Sequence, residues 1–239
     1  WIYSDGYAPP AHIDYAVIPK GHQLKSITIP ASVTSIGGYA FDGCSSLKTI
    51  TFADGNTMTQ LGAVDVNSED PVTGVNIFAG TTALETISLP QDIEKIGIGC
   101  FENSGIAYIS LSSNVTHIGD RAFYNCDNIQ EMNLTANLVH LGNEAFFDCN
   151  NLVKADLFSG LEYLGARAFG FCTKLTKAYI PDTVTQITGN PFMGCESIAS
   201  FELDRDNTHF VEKDGVLYDK TMYTVIYYPA SLTAESYTF

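Results

Sequence analysis

The chain has 239 residues, with 12 Lys and Arg against 27 Asp and Glu, a formal net charge of −15 and 45% hydrophobic residues. The hydrophobic content excludes a disordered acidic tail, and the charge leaves no basic stripe to neutralise the phosphates of nucleic acid or anionic lipid. No run of 18 apolar residues is present to cross a membrane as a helix, and the acidity reads first as a statement about solubility.

Residues 1–23 read as an N-terminal flank or partial repeat. No charged segment followed by an apolar stretch opens the chain at Trp1. Residues 16–19 read as the end of a repeat strand and residues 236–239 as the start of another, so further repeats are expected beyond Phe239.

From Leu24 onward one plan recurs. Its coils open at Leu24, Leu47, Leu84, Ile106, Ile129, Leu152 and Leu175, and an eighth start at Ile198 leads into something different. The steps are 23, 37, 22, 23, 23, 23 and 23 residues. A fixed period of this length marks a solenoid, in which no single coil can bury its apolar face and stacking makes a continuous core. The long step belongs to the second coil, where residues 53–77 carry about 14 extra positions rich in Asp, Asn, Thr, Ser and Gly. They are expected to form a surface loop.

Within a coil, Leu24, Ile27 and Ile29 alternate as the inward face of a short strand, with Ser26 and Thr28 pointing out. A glycine follows the second apolar pair at Gly37, Gly62, Gly97, Gly119, Gly142 and Gly165, which calls for a positive φ or a close backbone approach. In the seventh coil Thr188 takes this place and Gly189 follows, predicting a turn shifted by one residue. Pro191 there replaces the small residue before the Phe. Phe123, Phe146, Phe169 and Phe192 keep the 23-residue step and predict a stacked aromatic spine.

Cys44, Cys126, Cys149, Cys172 and Cys195 share one slot, and Cys100 occupies the slot of Ala40. Side chains in one stacked slot run parallel, which favours buried reduced thiols over disulfides. No short Cys-x-x-Cys spacing offers a zinc site. His117 and His140 share a slot in adjacent coils without a third ligand in the column, and read as solvated side chains with no metal. Asp204, Asp206 and Asn207 lack the Gly and distal Glu of a calcium loop and read as a polar turn. No nucleophile elbow, zinc-protease, P-loop or dinucleotide motif is present. No cofactor is expected.

Asp214 and Gly215 between two short apolar runs fit a two-residue hairpin, with a second turn at residues 219–221 before a Tyr/Val/Ile-rich strand. This module is expected to cover the end of the stack. Tyr218, Tyr223, Tyr227 and Tyr228 offer an aromatic surface as a second role.

The outward strand positions form two columns. Serine and threonine fill them up to the third coil; from the fourth they carry Tyr108, Glu131, Asn133, Lys154, Asp156, Lys177, Tyr179 and Glu202. Aromatic and charged groups on a rigid sheet are what a protein partner can be recognised by. Mutual neutralisation of Glu131, Lys154, Asp156 and Lys177 across strands explains the charges equally well.

The recurring Leu-x-x-Ile-x-Ile-Pro from Leu24, Val-Thr-x-Ile-Gly from Val33 and x-Ala-Phe-x-x-Cys ending at Cys44 resemble the BspA-like, or Treponema-type, leucine-rich repeat. The resemblance covers about residues 24–239, and residues 207–229 resemble the hairpin module found within or at the end of such arrays. It implies a right-handed leucine-rich repeat solenoid of the β-rich α/β horseshoe class, about 23 residues per coil, with a C-terminal β-hairpin module. The expected organisation is seven repeats over residues 24–197, with residues 198–239 holding an eighth repeat start, the hairpin and the start of a further repeat. The resemblance also implies a secreted or cell-surface bacterial protein acting in adhesion, with no shared catalytic motif. In a bacterial protein the sequons at Asn114 and Asn133 read as chance. The expected partner is a host matrix or cell-surface protein. A glycan is less favoured, because Trp1 is the only tryptophan; neither nucleic acid nor membrane insertion is expected. The other reading is a spacer segment of a longer surface protein without a ligand of its own.

Overall fold

The computed structural model describes residues 10–64, 74–198, 200–230 and 232. It is a β-solenoid of about eight turns, and among these residues no helix occurs, so none is long and apolar enough to cross a membrane. The first coils contribute β1 (His12–Ile13), β2 (Ser26–Ile29), β3 (Ser35–Ile36), β4 (Thr49–Phe52), β5 (Gln60–Leu61), β6 (Thr86–Ser88) and β7 (Lys95–Ile96). The middle coils contribute β8 (Tyr108–Ser110), β9 (His117–Ile118), β10 (Glu131–Asn133), β11 (His140–Leu141), β12 (Lys154–Asp156) and β13 (Tyr163–Leu164). Then come β14 (Lys177–Ile180), β15 (Gln186–Ile187), β16 (Ser200–Leu203) and the hairpin strands β17 (Phe210–Lys213), β18 (Val216–Asp219) and β19 (Val225–Tyr227).

The coils thus lay down one longer and one two-residue strand each from β2 to β15, and like strands pair in parallel between coils, with breaks between β3 and β5, β8 and β10, and β12 and β14. The longer strands run as three panels, β2-β4-β6-β8, β10-β12 and β14-β16. The two-residue strands form one unbroken sheet, β5-β7-β9-β11-β13-β15, beside the pair β1-β3. Alternation along the longer strands is as the pattern requires: in β2, Ile27 and Ile29 are buried while Ser26 and Thr28 are exposed.

The third side of each coil, carrying the Ala-Phe pair, is a turn rather than a helix. Two left-handed residues four apart break it, such as Arg121 (φ 56) with Asn125 (φ 52) and Glu144 (φ 55) with Asp148 (φ 59). The second of these positions is held largely by Gly43, Gly80, Asn103, Asn125, Asp148 and Gly194, residue types that bear this conformation at least cost. The freed backbone groups bond between coils instead: Phe123 N donates to Ala145 O (2.8 Å), Phe146 N to Ala168 O (2.7 Å) and Phe169 N to Pro191 O (2.9 Å). Since that ladder uses the carbonyl of the residue before each Phe and not its N–H, proline at 191 is tolerated. Asn190, before it, lacks the positive φ of its counterparts, as expected ahead of proline.

The phenylalanines stack face to face through the whole interior. Ring centroids lie 5.0 Å apart for Phe123–Phe146 and 5.8 Å for Phe169–Phe192. Phe41 and Phe78 stack at 5.3 Å although 37 positions separate them, so the extra residues of the second coil leave the spine undisturbed. Residues 65–73 of that insertion lie outside the described residues, as do residues 236–239. At the far end Tyr227 meets Phe192 edge-on (5.5 Å, 63°) and, with Phe210 and Leu217, joins the core, so the hairpin covers the last spine ring. Asp214 (φ 52) and Gly215 (φ 81) both adopt the positive φ of the expected hairpin turn.

Two expectations change, and that for the recurrent glycines is met by the second of its two alternatives. Residues 16–19 are not the end of a strand: Ala16 N bonds Gly38 O (3.0 Å), Ile18 N bonds Ala40 O (3.2 Å) and Ala16 has φ 45, as Tyr39 has φ 56. This segment is the turn side of a preceding coil, with Ile18 in the place of Phe41. Of the six recurrent glycines, Gly62 alone has a positive φ; the others serve close approach, a Cβ on Gly142 falling 2.5 Å from Asp120 N and one on Gly165 2.4 Å from Asn143 N. At Thr188 the turn does not shift. Thr188 N bonds Leu164 O as glycine does elsewhere, but at 3.3 Å against 2.8 Å for Gly165 N to Leu141 O. The ladder stretches to make room for the threonine.

Candidate functional site

The eight outward residues from the fourth coil on lie across all three panels. Tyr108 stands on β8, the last strand of the first panel, with its side chain 58% exposed and Thr86 opposite in register. On the second panel Glu131 pairs with Lys154 and Asn133 with Asp156 across β10 and β12. Lys154 Nζ lies 2.7 Å from Asp156 Oδ2 along the same strand, and the hydrogen bond to that carboxylate raises the lysine pKa.

On the third panel Lys177 faces Ser200 and Tyr179 faces Glu202 across β14 and β16. Tyr179 is half-buried, and its Oη donates to Asp204 Oδ2 at 2.8 Å. Burial, reinforced by that bond, pushes the phenol up to about 12. Asp204 is held below the usual carboxylate range, first by the Asp206 amide and then by Tyr179. The structure therefore assembles two clusters, Glu131/Asn133/Lys154/Asp156 and Lys177/Tyr179/Glu202, with Tyr108 on a third strand set. Lys154 and Tyr179 are tied to Asp156 and Asp204 within the chain.

Asp204 belongs to this surface through Tyr179, a link with no trace in the repeat pattern because it spans a strand and the turn after the next strand. Asn207, from the same polar turn, is buried and structural. It occupies the column of Val184, donates to the carbonyls of Pro181 (2.8 Å) and Val184 (3.3 Å), and accepts the amides of His209 and Phe210. Asn56, 23 positions after Val33, repeats the hydrogen bonds by donating to Pro30 O and Val33 O at 3.0 Å, while Met58 fills the valine's column. The signal was present, since each asparagine stands 23 positions after a valine.

Two further columns read differently in three dimensions. His117 and His140 are half-buried rather than solvated, and stack with Tyr163: centroids lie 5.6 Å apart for the two imidazoles and 4.2 Å for His140–Tyr163. All six cysteines are free and buried. Burial pushes the Cys126 and Cys195 thiols up to about 12. On the turn side Glu102, Arg121, Glu144 and Arg167 form an alternating chain, with Arg121 Nη2 to Glu102 Oε1 at 2.7 Å and Arg167 Nη2 to Glu144 Oε1 at 2.6 Å. Among the described residues no group of three His, Cys, Asp or Glu is placed to hold a metal.

A family model described as the BspA type leucine rich repeat region matches the chain in six copies, over residues 16–64 and 73–199. Among solved structures the chain is similar to a leucine-rich repeat protein from Bacteroides ovatus, at 25% identity over 87% of this chain and 56% of that one, with a TM-score of 0.61. It is also similar to the pneumococcal vaccine antigen PcpA, at 18% identity over 82% of this chain and 54% of that one, TM-score 0.53, a likeness of fold. The chain spans little more than half the length of either. No curated protein sequence matches.

Proposed function

The chain belongs to the BspA-type leucine-rich repeat family, and on that premise we propose that it is a non-enzymatic, secreted or cell-surface protein that binds another protein through the outward face of its longer strands. The observation that carries this reading is Tyr108, a large aromatic side chain 58% exposed on a hydrogen-bonded strand, beside strands bearing Glu131, Lys154 and Lys177. Exposed aromatics on a rigid support lose little entropy on binding and dominate many interfaces. The partner class is a host matrix or cell-surface protein.

A spacer role is favoured by a different observation. Lys154–Asp156 and Tyr179–Asp204 satisfy much of the same face from within the chain, which leaves less for a partner to gain. The deciding experiment is binding of the chain to an array of host matrix proteins, alongside a Tyr108→Ala/Lys154→Ala/Tyr179→Ala variant shown to be folded. Binding that the variant loses supports recognition on this face; a chain that binds nothing on the array supports the spacer.

A further inference from the structure

On the turn side the coils stop being alike in the middle of the stack. The position after each spine Phe is Asp42, Ala79, Glu102, Gly170 or Met193 in most coils, but the fourth and fifth carry Tyr124 and Phe147 there. In the sixth coil the aromatic moves one place on. Phe171 takes the second left-handed position, which Gly, Asn or Asp holds in the other coils. Its φ of 57 is an outlier for a bulky residue, and such strain tends to be kept where a side chain is used.

The three rings form a ladder across these coils. Tyr124 and Phe147 stack at 5.1 Å, Phe171 meets Phe147 edge-on at 5.2 Å, and the Arg121 guanidinium lies 4.3 Å over the Tyr124 ring. Glycine clears the coil beneath: a Cβ at Gly170 would stand 2.8 Å from Phe147 Cδ2, and one at Gly194 2.7 Å from Phe171 Cδ1. Tyr124 and Phe147 are half-buried, and Phe171 keeps 41% of its surface in water.

We propose that this ladder is a second interaction surface, and that its occupant is a segment of a partner protein carrying an apolar side chain beside a lysine or arginine. The rings and Arg121 supply the side chains in which interfaces are enriched, held on a rigid support. Charge selects the other half. The row Glu102, Arg121, Glu144 and Arg167 is paired within itself. Asp148, one coil before Phe171 in the same slot, and Asp127 both accept from the Asn150 side-chain amide (2.8 and 3.3 Å). Among the described residues neither pairs with a lysine or arginine, and Lys174 is turned to Asn151 instead (2.6 Å). A cation entering beside Phe171 thus gains both carboxylates and a ring. A second copy, at −15, brings the wrong sign.

Calorimetric titration of the 239-residue chain with three short peptides tests this: one of leucine and arginine, one of serine and arginine, and one of leucine and glutamate. The first is expected to bind best, and to weaken between about 0.15 M and about 0.5 M NaCl. Phe171→Asn places in this slot the residue type of Asn125, so it keeps the wild-type Tm while weakening that peptide by about tenfold or more. Asp148→Asn, equally suited to the slot, lowers the salt dependence. Tyr108→Ala/Lys154→Ala/Tyr179→Ala leaves the binding unchanged, which separates this surface from the face of the longer strands. No binding of the first peptide, equal binding of either control, binding that survives Phe171→Asn, or binding lost in the triple variant overturns the proposal.

Discussion

The Cys149 thiol donates to the carbonyl of Phe123 in the preceding coil at 3.1 Å, and that carbonyl belongs to the ring that stacks on Phe146. Cys126 to Phe101 (3.0 Å), Cys172 to Phe146 (3.1 Å) and Cys195 to Phe169 (2.9 Å) repeat the contact. From Phe101 to Phe169 the cysteine column and the phenylalanine column are therefore one device: the backbone of each of these four rings is anchored by a thiol one coil later. Where the column has Thr81, the hydroxyl instead bonds its own coil's Phe78 carbonyl at 2.7 Å.

Replacing Cys149 with Ala removes that donor and a few buried atoms, and is expected to cost about 1 kcal/mol, since a net hydrogen bond contributes roughly that much. Cys149→Ser is milder because a hydroxyl already serves at Ser104. Burial raises the pKa of Cys126, Cys149, Cys172 and Cys195, disfavouring the thiolate that reacts. The folded chain is thus expected to resist a thiol reagent that labels all six cysteines once it is unfolded. Rapid labelling of the native protein would contradict the buried ladder.

Phe146 sits between two rings at 5.0 and 5.5 Å and is fully buried. Phe146→Ala opens a cavity in the middle of the spine, where stacked coils on either side cannot collapse to fill it. The expected cost is about 3–5 kcal/mol, read as a large fall in Tm; Phe171→Ala, at an exposed ring of the turn side, should cost much less.

The imidazole stack makes stability depend on pH. Burial lowers the pKa of His117, with Lys95 adding to it, and lowers that of His140, where protonation of His117 adds and Asp120 opposes. Both values are therefore below the reference of 6.5 in the folded chain. Just below 6.5 the unfolded chain binds more protons than the folded one, so stability falls as pH drops through this window and the loss is complete below the folded values. His117→Gln/His140→Gln, using the residue already found at Gln186 in that column, should flatten the change in Tm between about pH 7.5 and 5.0. An unchanged slope would show the carboxylates alone to be responsible.

The repeat was legible because one coil's inward columns are copied 23 residues on, and a parallel stack turns sequence spacing directly into contact: Phe123 touches Phe146, and His117 faces His140. Contacts that leave the column were not legible. Tyr179 reaches Asp204, 25 positions on, by stepping from one strand past the next into its following turn. Arg121 reaches Glu102, 19 positions back and outside its own column.

Asn207 tests whether a departure from the period is structural. Asn207→Val supplies the side chain its column carries elsewhere, yet leaves the Pro181 and Val184 carbonyls and the His209 and Phe210 amides without their partner. Buried groups left unpaired cost roughly 1–3 kcal/mol each, so a net loss of about 2 kcal/mol is expected even after the gain in apolar burial. Asn207→Asp keeps the acceptor for both amides but sets a carboxylate against two carbonyls. Burial and that arrangement raise its pKa above the unfolded value, and a neutral carboxylic acid regains a donor. Its deficit relative to wild type should therefore be largest near pH 7 and shrink towards about pH 4. Equal deficits at the two pH values would mean that Asn207 does not act through the Pro181 and Val184 carbonyls.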